Sequence, residues 1–453
     1  MTLSDIIPSL RSSLRVPLTE VWPATAAWGE HGDLTIGGVA MTAVVAGHGT
    51  PTYVLDEADV RQRCRDYLTA FGRDGVAYTA KALLSRGIAR WLAAEGLRLY
   101  VGSAGELRVA LAAGFPADRI VLYGSAKTPE DLEAAYAGRV GTIVVESLGE
   151  ITRLAATAPQ GQRVLLRVLG GTEPAEGADC RFGLRIASGE AATAVARIVA
   201  QPRLALVGVD CSVGHQVSRF SVYEREVRGV LEFLAEMRAR HGVEPTELNL
   251  GGGHAVAYSG GDPSLALAAF AGRIRSVLRL AADRHDLPVP QLTVSPGRAI
   301  VSRAGITLYH VVSVNKGPDG HILVAVDGGM TDCPSGALCG GRHSAVLFGR
   351  TTCAQPVRAT VVGRHNDADD VIVPALTLPA DVHPGDLLAV AGSGAYHHSR
   401  ASNYHLVGRP PLLSVRDGRI TTLVRRESSD DMLLRDVDER EADERKADQR
   451  KAA

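Results

Sequence analysis

The chain has 453 residues, of which 45% are hydrophobic and 22% charged, and its formal net charge at pH 7 is −1. This length allows two domains with ordinary cores, and the balanced charge lacks the basic surplus typical of proteins that bind nucleic acid or anionic membranes. The N-terminus has no basic region followed by an apolar run, and no apolar segment approaches the ~20 residues that span a bilayer. Six cysteines without a Cys-x-x-Cys pair fit free thiols. We therefore expect a cytoplasmic protein that binds neither nucleic acid nor membrane.

Short apolar runs rich in Val, Ile and Leu alternate with amphipathic stretches from residue 76 onward. This alternation is typical of parallel βα units, and each predicted strand except the last is followed by a plausible helix. Eight such units predict an α/β fold with a (β/α)8 TIM-like barrel. The predicted strands are Val76–Ala80, Leu97–Val101, Ile120–Tyr123, Thr142–Val145, Val164–Val168, Ala205–Val209, Glu247–Leu250 and Leu292–Val294.

The sequence pattern changes after the barrel, which we place at residues 49–304. Residues 305–424 have short strands and turns with little helical periodicity, which predicts a second, all-β (β-barrel-like) domain. Residues 1–48 are rich in Gly and Val with weak helical content, and we expect part of them to join the β domain. Residues 425–453 form a charged tail typical of a solvated or frayed helix.

Candidate anion-binding residues follow the last two barrel strands. Active sites of such barrels lie at the C-terminal strand ends, often with a phosphate held after strands seven and eight. Gly251, Gly252 and Gly253 follow strand seven, where backbone N–H groups without neighbouring Cβ atoms can approach an anion. Arg298 follows strand eight, and its guanidinium suits phosphate or carboxylate. Taken singly, the glycines fit a tight turn and Arg298 a surface residue equally well.

A lysine, Lys81, ends the first predicted barrel strand in the segment Tyr78-Thr79-Ala80-Lys81-Ala82. Most lysines are solvated surface charges, and that remains the alternative for Lys81 alone. A lysine desolvated in a barrel mouth has the lowered pKa that an imine-forming amine needs. Its position opposite two candidate phosphate loops predicts pyridoxal 5'-phosphate as the cofactor.

Several further segments, together with Lys81 and the glycine loop, match one known family. They are Thr50-Pro51-Thr52-Tyr53-Val54-Leu55, Ser103-Ala104-Gly105-Glu106-Leu107, Arg181-Phe182-Gly183, Asp327-Gly328-Gly329-Met330, Gly394-Ala395-Tyr396 and Ser402-Asn403-Tyr404. Over residues 50–415 the chain resembles the fold-type III pyridoxal-phosphate decarboxylases, the group of diaminopimelate, ornithine and arginine decarboxylases.

The resemblance implies a barrel plus a β domain and assigns roles to the candidate residues. Lys81 would carry the cofactor as an internal aldimine, the glycine loop would hold its phosphate, and Tyr396 would lie beside it. Gly297 and Arg298 belong to the same implied cofactor site. The family is also typically a head-to-tail homodimer whose active sites are completed by the partner's β domain.

The chain departs from the family at the cofactor ring. Ser295 stands where the family has the glutamate of Glu-Pro-Gly-Arg, so the carboxylate implied at the pyridine nitrogen is missing. A charge-assisted hydrogen bond contributes about 1.5–3 kcal/mol, and we expect a weakened electron sink. Ser212 replaces the histidine implied to stack on the ring, and His215 falls where a small phosphate contact is usual. As His⁺ it can bind phosphate; a solvent-facing histidine is the alternative.

A second departure concerns the acid group in the segment Arg364-His365-Asn366-Asp367. Asn366 replaces the family's cysteine proton donor and cannot titrate. Asp367 retains the acidic partner, and His365 becomes a candidate acid. The Asp-rich run that follows lacks the full spacing of a calcium site, so we predict no metal.

The substrate end differs as well. Ser335 and Cys339 stand where diaminopimelate decarboxylases place an arginine and a tyrosine, and with Arg298, Asp367 and Tyr396 they are the predicted substrate-binding residues. The neighbouring Arg342 and His343 either supply another anion contact or face solvent.

These observations predict a pyridoxal-phosphate-dependent carboxy-lyase that acts on an amino acid with altered substrate specificity. The alternative, motivated by Ser295, is a racemase, elimination or replacement enzyme in a biosynthetic pathway, acting on a free or carrier-bound amino acid. A third hypothesis is a catalytically degenerate protein that binds the cofactor.

Overall fold

The structure is a computed structural model that describes residues 17–170, 183–334, 340 and 342–437. It contains a parallel barrel and a separate, mostly β domain, and this confirms the predicted fold class. None of the helices within these ranges combines the length and apolar character needed to cross a bilayer.

The first described part of the chain packs on the β domain. It forms a small antiparallel sheet of β1 (Ala27–Trp28), β2 (Leu34–Ile36) and β3 (Val39–Ala40), followed by a helix at Met41–His48. Trp22 and neighbouring apolar residues share a core with strands of the β domain. The helix is a correction to the weak helical content expected here. Its apolar residues are spread around the helix axis, so the sequence lacks a helical period.

The next strand, β4 (Thr52–Asp56), precedes the eight parallel strands of the barrel. The barrel strands are β5 (Ala77–Thr79), β6 (Arg98–Val101), β7 (Ile120–Leu122), β8 (Thr142–Val145), β9 (Gln162–Leu169), β11 (Leu204–Cys211), β12 (Glu247–Asn249) and β13 (Gln291–Thr293), with β10 (Leu184–Arg185) paired to β9. A parallel bridge between Val76 and Val294 closes the barrel between β5 and β13. All eight predicted strands are therefore confirmed.

The helices around the barrel begin at clear N-caps. The side chains of Ser85, Ser103, Thr128 and Ser147 each accept a hydrogen bond from a backbone N–H in the first helical turn. The helices that follow barrel strands are Arg86–Glu95, Ala104–Ala112, Pro129–Ala137, Leu148–Thr157, Glu190–Val199, Phe220–His241, Leu267–Arg284 and the short Arg298–Val301. Glu57–Phe71 precedes β5, and Ser429–Leu433 lies in the tail.

The β domain contains every strand after the barrel. These strands are β14 (Gly305–Lys316), β15 (Ile322–Val326), β16 (Ala345–Phe348), β17 (Pro356–Val362), β18 (Val371–Pro379), β19 (Leu387–Ala391), β20 (Leu412–Arg416) and β21 (Arg419–Val424). The main sheet has the order β18-β17-β15-β14-β4-β20-β21, and β19 joins β14 to β16.

Strand β4 lies within the range predicted for the barrel but pairs with β14 and β20 of the β domain. A fully buried apolar strand has no alternating pattern, so sequence alone does not show which sheet it joins. The chain therefore enters the β domain before it builds the barrel, and it returns through β14 directly after the short helix at Arg298–Val301.

Candidate active site

Lys81 lies in a single helical turn, Ala80–Ala82, directly after β5. Its side chain is exposed to the barrel mouth, and Nζ lies 5.9 Å from the centre of the Tyr123 ring. Desolvation by the surrounding barrel atoms lowers the pKa of Lys81, and the charge of Arg167 lowers it further, whereas Glu106 opposes the change. A lower pKa increases the fraction of neutral amine, which is the nucleophilic form.

The three glycines after β12 form a loop with no room for side chains. Gly251 has φ +74°, in the left-handed region. A Cβ at Gly252 would lie 1.8 Å from the carbonyl oxygen of Ser295, and one at Gly253 would lie 1.8 Å from that of Gly214. The backbones of Ser295 and Gly214 therefore pack directly against the backbone of this loop. We interpret the loop as a candidate cradle for an anion.

Arg298 is held by two tyrosines beside the Lys81 turn. Its guanidinium donates a hydrogen bond to the Tyr258 hydroxyl, and its Cζ lies 4.7 Å from the centre of the Tyr396 ring. The Tyr396 backbone N–H donates to the carbonyl of Ala82 at 2.7 Å. The preceding Gly297 packs so closely that a Cβ there would lie 2.8 Å from the Thr79 carbonyl oxygen. The predicted residues after strands one and eight thus meet at one barrel mouth.

A buried polar network lies beneath this mouth, and sequence reasoning did not assign it to the site. The Asn249 amide donates to Ser295 Oγ at 3.3 Å and to Asp210 Oδ2 at 2.6 Å. Arg167 donates to Asp210 Oδ1 at 2.7 Å and to Glu146 Oε1 at 2.9 Å. Asp210 is fully buried. The available signal was a polar residue near the C-terminal end of each of four apolar barrel strands.

Ser212 and His215 lie on the loop after β11, against the glycine loop. A Cβ at Gly251 would lie 3.6 Å from Ser212 Cα, and one at Gly253 would lie 3.3 Å from His215 Cα. The His215 side chain is exposed. Both residues therefore lie next to the candidate phosphate cradle.

His365, Asn366 and Asp367 form a second group on the β domain. His365 Nε2 lies 3.1 Å from Thr331 Oγ1, and the Tyr404 hydroxyl donates to Asp367 at 3.0 Å. Asn366 is exposed, and burial lowers the pKa of His365. The predicted Ser335 and Cys339 lie outside the described residues.

Residues 57–302 match the family model for the pyridoxal-binding domain of pyridoxal-dependent decarboxylases. The chain belongs to this family. A diaminopimelate decarboxylase of Actinosynnema pretiosum subsp. auranticum is 46% identical over 445 residues, which cover 96% of this chain and 100% of the relative. That of Mycobacterium bovis is 39% identical over 92% of this chain and 98% of the relative.

A solved structure of a diaminopimelate decarboxylase from M. jannaschii, in complex with L-lysine, supports the same assignment. Its TM-score is 0.85 at 27% identity, and the match covers 92% of this chain and 98% of that one. The chain is thus a pyridoxal-phosphate-dependent carboxy-lyase, and its cofactor is pyridoxal phosphate. The glycine cradle, Arg298 and the lysine of lowered pKa fit a ligand with one phosphate and one aldehyde.

Alanine at Gly252 of this decarboxylase is expected to weaken cofactor binding by at least ~10-fold, because a backbone shift at the cradle must relieve the contact with Ser295. The measurement is titration of the apoprotein with pyridoxal phosphate, followed by visible absorbance. Gly272→Ala is the matched control, since Gly272 lies within the helix Leu267–Arg284 and a Cβ there meets no atom within 4 Å. Equal cofactor affinities in the two variants would show that the Gly252 contact relaxes without disturbing the cradle.

Proposed function

We propose that this decarboxylase removes the α-carboxyl group of an amino acid whose side chain lacks the distal carboxylate of diaminopimelate. The observation that carries decarboxylation is the meeting of Lys81, Arg298 and the glycine loop at one barrel mouth, and the substrate preference is argued below from Ser335 and Cys339. Bound pyridoxal phosphate supplies an electron-withdrawing ring that accepts the electron pair left when carbon dioxide departs. The protein's part is to bind, orient and move protons.

Lys81 is the residue that bears the cofactor, and its lowered pKa supports this role because the neutral amine is the reactive form. Gly252 and Gly253 hold the phosphate with their backbone, whereas the Gly251 N–H donates to Asn249 Oδ1 at 3.1 Å and shapes the loop. Arg298 adds a positive charge. Stacking on Tyr396 and the bond to Tyr258 keep that guanidinium in place.

Ser295 offers a hydroxyl in place of the carboxylate that the family resemblance implies. A hydroxyl provides a hydrogen bond without a formal charge, so it favours a protonated ring nitrogen less than a carboxylate does. The side-chain amide of Asn249 links Ser295 to the buried Asp210, because it donates a hydrogen bond to each of them. This arrangement leaves Asn249 to orient Ser295, and Arg167 to pair with Asp210.

The substrate is inferred from the relatives and from the chain's own residues. Two relatives are named diaminopimelate decarboxylases, and the M. jannaschii structure is a complex with L-lysine, so amino acids with a long, amine-bearing side chain are the candidates for this chain. Neither Ser335 nor Cys339 carries a positive charge that could pair with a distal carboxylate. Together these points favour a long α-amino acid with an uncharged or amine-bearing side chain.

The deciding experiment offers the purified holoenzyme a panel of meso-diaminopimelate, L-lysine, L-ornithine and L-arginine. Carbon dioxide and amine release are measured, and kcat/KM is compared across the panel. Release from a substrate without a distal carboxylate, in preference to diaminopimelate, is the expected result. Preference for diaminopimelate would refute the altered specificity alone. Deuterium entry at Cα with the carboxylate retained, and no carbon dioxide from any substrate, would refute decarboxylation itself.

A homodimer with shared active sites is the second part of the proposal. The group of His365 and Asp367 lies beside two exposed apolar side chains, Tyr404 at 46% and Leu406 at 78% exposure. Exposed apolar residues around polar groups mark association surfaces. From this surface and from the arrangement that the family resemblance implies, we infer that it completes the barrel mouth of the partner protomer.

Mixing two inactive variants tests this arrangement. Lys81→Ala and Asp367→Ala homodimers are each expected to lose activity, whereas refolding them together gives heterodimers with one intact site. About a quarter of the wild-type activity is then expected, because statistically half of the dimers are mixed and half of their sites are intact. If mixing restores no activity although mixed dimers form, Lys81 and Asp367 act within one chain.

A further inference from the structure

Three metal-ligating side chains converge where the β domain meets the barrel. Cys333 follows β15, His343 precedes β16 and His397 follows β19, and all three are buried, with 2%, 3% and 0% exposure. One ligand atom from each lies within 4.8 Å of the other two. The mechanism proposed above uses none of them.

Hydrogen bonds orient both imidazoles as they are oriented in metal sites. His343 Nδ1 lies 2.8 Å from the carbonyl oxygen of Ala391, and His397 Nδ1 lies 3.0 Å from that of Ala395. A carbonyl oxygen can only accept, so each Nδ1 carries the hydrogen and each Nε2 the lone pair. Metal-ligating histidines are typically held in this way by a backbone carbonyl.

Both Nε2 atoms are buried and lack a hydrogen-bond partner in the part of the chain that the structure describes. A buried acceptor without a partner destabilises the fold, so such groups usually signal an additional ligand. Two unsatisfied lone pairs next to the buried Cys333 thiol are the donor set of a cation.

We propose that Cys333, His343 and His397 bind one zinc ion. A thiolate and two imidazoles are the ligands that zinc prefers, and three protein ligands leave a fourth tetrahedral position for water. Zinc–ligand bonds of about 2.0–2.3 Å place tetrahedral ligand atoms roughly 3.3–3.7 Å apart. Side-chain movements of about 1 Å therefore bring the three ligands into position, and the thiol proton leaves to solvent when the ion binds.

The buried His254 is a comparison case, a histidine with an unsatisfied Nε2 but, among the residues that the structure describes, no other candidate metal ligand in its aromatic surroundings. Its Nε2 also lacks a partner in the described part of the chain, but its ring lies among Tyr67, Tyr223 and Phe270. These neighbours offer aromatic contacts and no thiol. A single unsatisfied imidazole is thus compatible with an aromatic core, whereas the pair at His343 and His397 is joined by Cys333.

An access route and a link to the cofactor site complete the geometry. His343 lines a cleft of about 600 Å³ between the N-terminal segment and the β domain. The His343 ring also lies 5.2 Å from that of Tyr258, whose hydroxyl accepts a hydrogen bond from Arg298. The bound ion fixes His343, which packs on Tyr258, and Tyr258 in turn holds Arg298, the arginine proposed to bind phosphate. The ion is therefore a positioning element and does not touch substrate.

The test uses the holoenzyme after dialysis against a chelator, then against zinc or cobalt. One zinc per chain is expected by elemental analysis, and cobalt should give a thiolate-to-metal absorption band. Cys333→Ser, His343→Asn and His397→Asn should each weaken binding beyond the ~10–100-fold that loss of an outer-shell partner costs. Cys353→Ser, an exposed thiol, and His254→Asn, a buried imidazole, are matched controls expected to retain the ion.

Failure of the wild-type protein to bind zinc, or unchanged binding in the three ligand variants, would overturn the proposal. If the ligand variants do not fold, the wild-type cobalt spectrum decides, because a tetrahedral thiolate site has a charge-transfer band that oxygen and nitrogen sites lack. Activity of the loaded enzyme is not needed for either result.

Discussion

Alanine at position 81 is expected to abolish both the covalent attachment of pyridoxal phosphate and amino-acid decarboxylation. The variant loses the only side chain proposed to bond the cofactor, and also a group that can move a proton at the reacting carbon. Loss of a positioned nucleophile and base lowers kcat by roughly 10³-fold or more. The visible absorbance of lysine-bound cofactor and the rate of carbon dioxide release are the two measurements.

Lys316→Ala is the control for this experiment, because Lys316 is an exposed lysine at the end of β14. It is expected to retain the absorbance band and the activity. The phosphate contacts that we propose for the glycine loop and Arg298 remain in Lys81→Ala, so weak, non-covalent cofactor binding should persist. A wild-type band in Lys81→Ala would move the attachment to another amine and remove the basis of the proposed mechanism.

The barrel was predictable because each strand is a short apolar run bounded by turn-forming residues. The same local signal did not predict the sheet to which β4 belongs. Thr52–Asp56 is buried throughout, and its sequence does not indicate which sheet it joins. Pairing with β14 and β20 is decided by contacts across hundreds of residues. Sequence periodicity reports on the burial of a strand, and the choice of neighbour is a property of the tertiary structure.

The site was predictable to the same extent. Lys81, the glycine loop and Arg298 follow strand ends, where barrel geometry brings side chains together whatever their separation in sequence. The network of Arg167, Asp210 and Asn249 gives a weaker signal, because a polar residue near the C-terminal end of a barrel strand does not by itself show which partners it meets in the fold. The zinc ligands come from three loops of the β domain, at residues 333, 343 and 397, and their spacing matches no short metal motif.

Alanine at Arg167 is expected to give the largest loss of stability among the site variants. Arg167 bridges Glu146 and the fully buried Asp210, with 14% of its own side chain exposed. Removing it leaves a buried carboxylate without its cation, which typically costs about 3–5 kcal/mol. Chemical denaturation measures this change in the free energy of unfolding.

Arg163→Ala is the matched control on the same strand. Arg163 pairs with Glu247, but half of its side chain is exposed, and Glu247 keeps a second partner in Arg98. An exposed pair of this kind contributes about 0.2–1 kcal/mol. Equal losses in the two variants would mean that the buried pair of Arg167 and Asp210 stabilises the fold no more than an exposed ion pair does.

The same substitution tests the electrostatics of Lys81. The charge of Arg167 is the largest cause of the lowered Lys81 pKa after desolvation, and Glu106 and Glu146 act in the opposite direction. Without the positive charge of Arg167, the carboxylates of Glu106 and Glu146 stabilise the protonated Lys81 amine more effectively. The pKa of Lys81 therefore rises, and less neutral amine is present at a given pH. The pH at which the apoprotein regains half of its maximal rate of cofactor attachment should therefore move upward in Arg167→Ala and stay unchanged in Arg163→Ala. An unchanged midpoint in a folded Arg167→Ala variant would show that the charge of Arg167 does not contribute to the reactivity of Lys81.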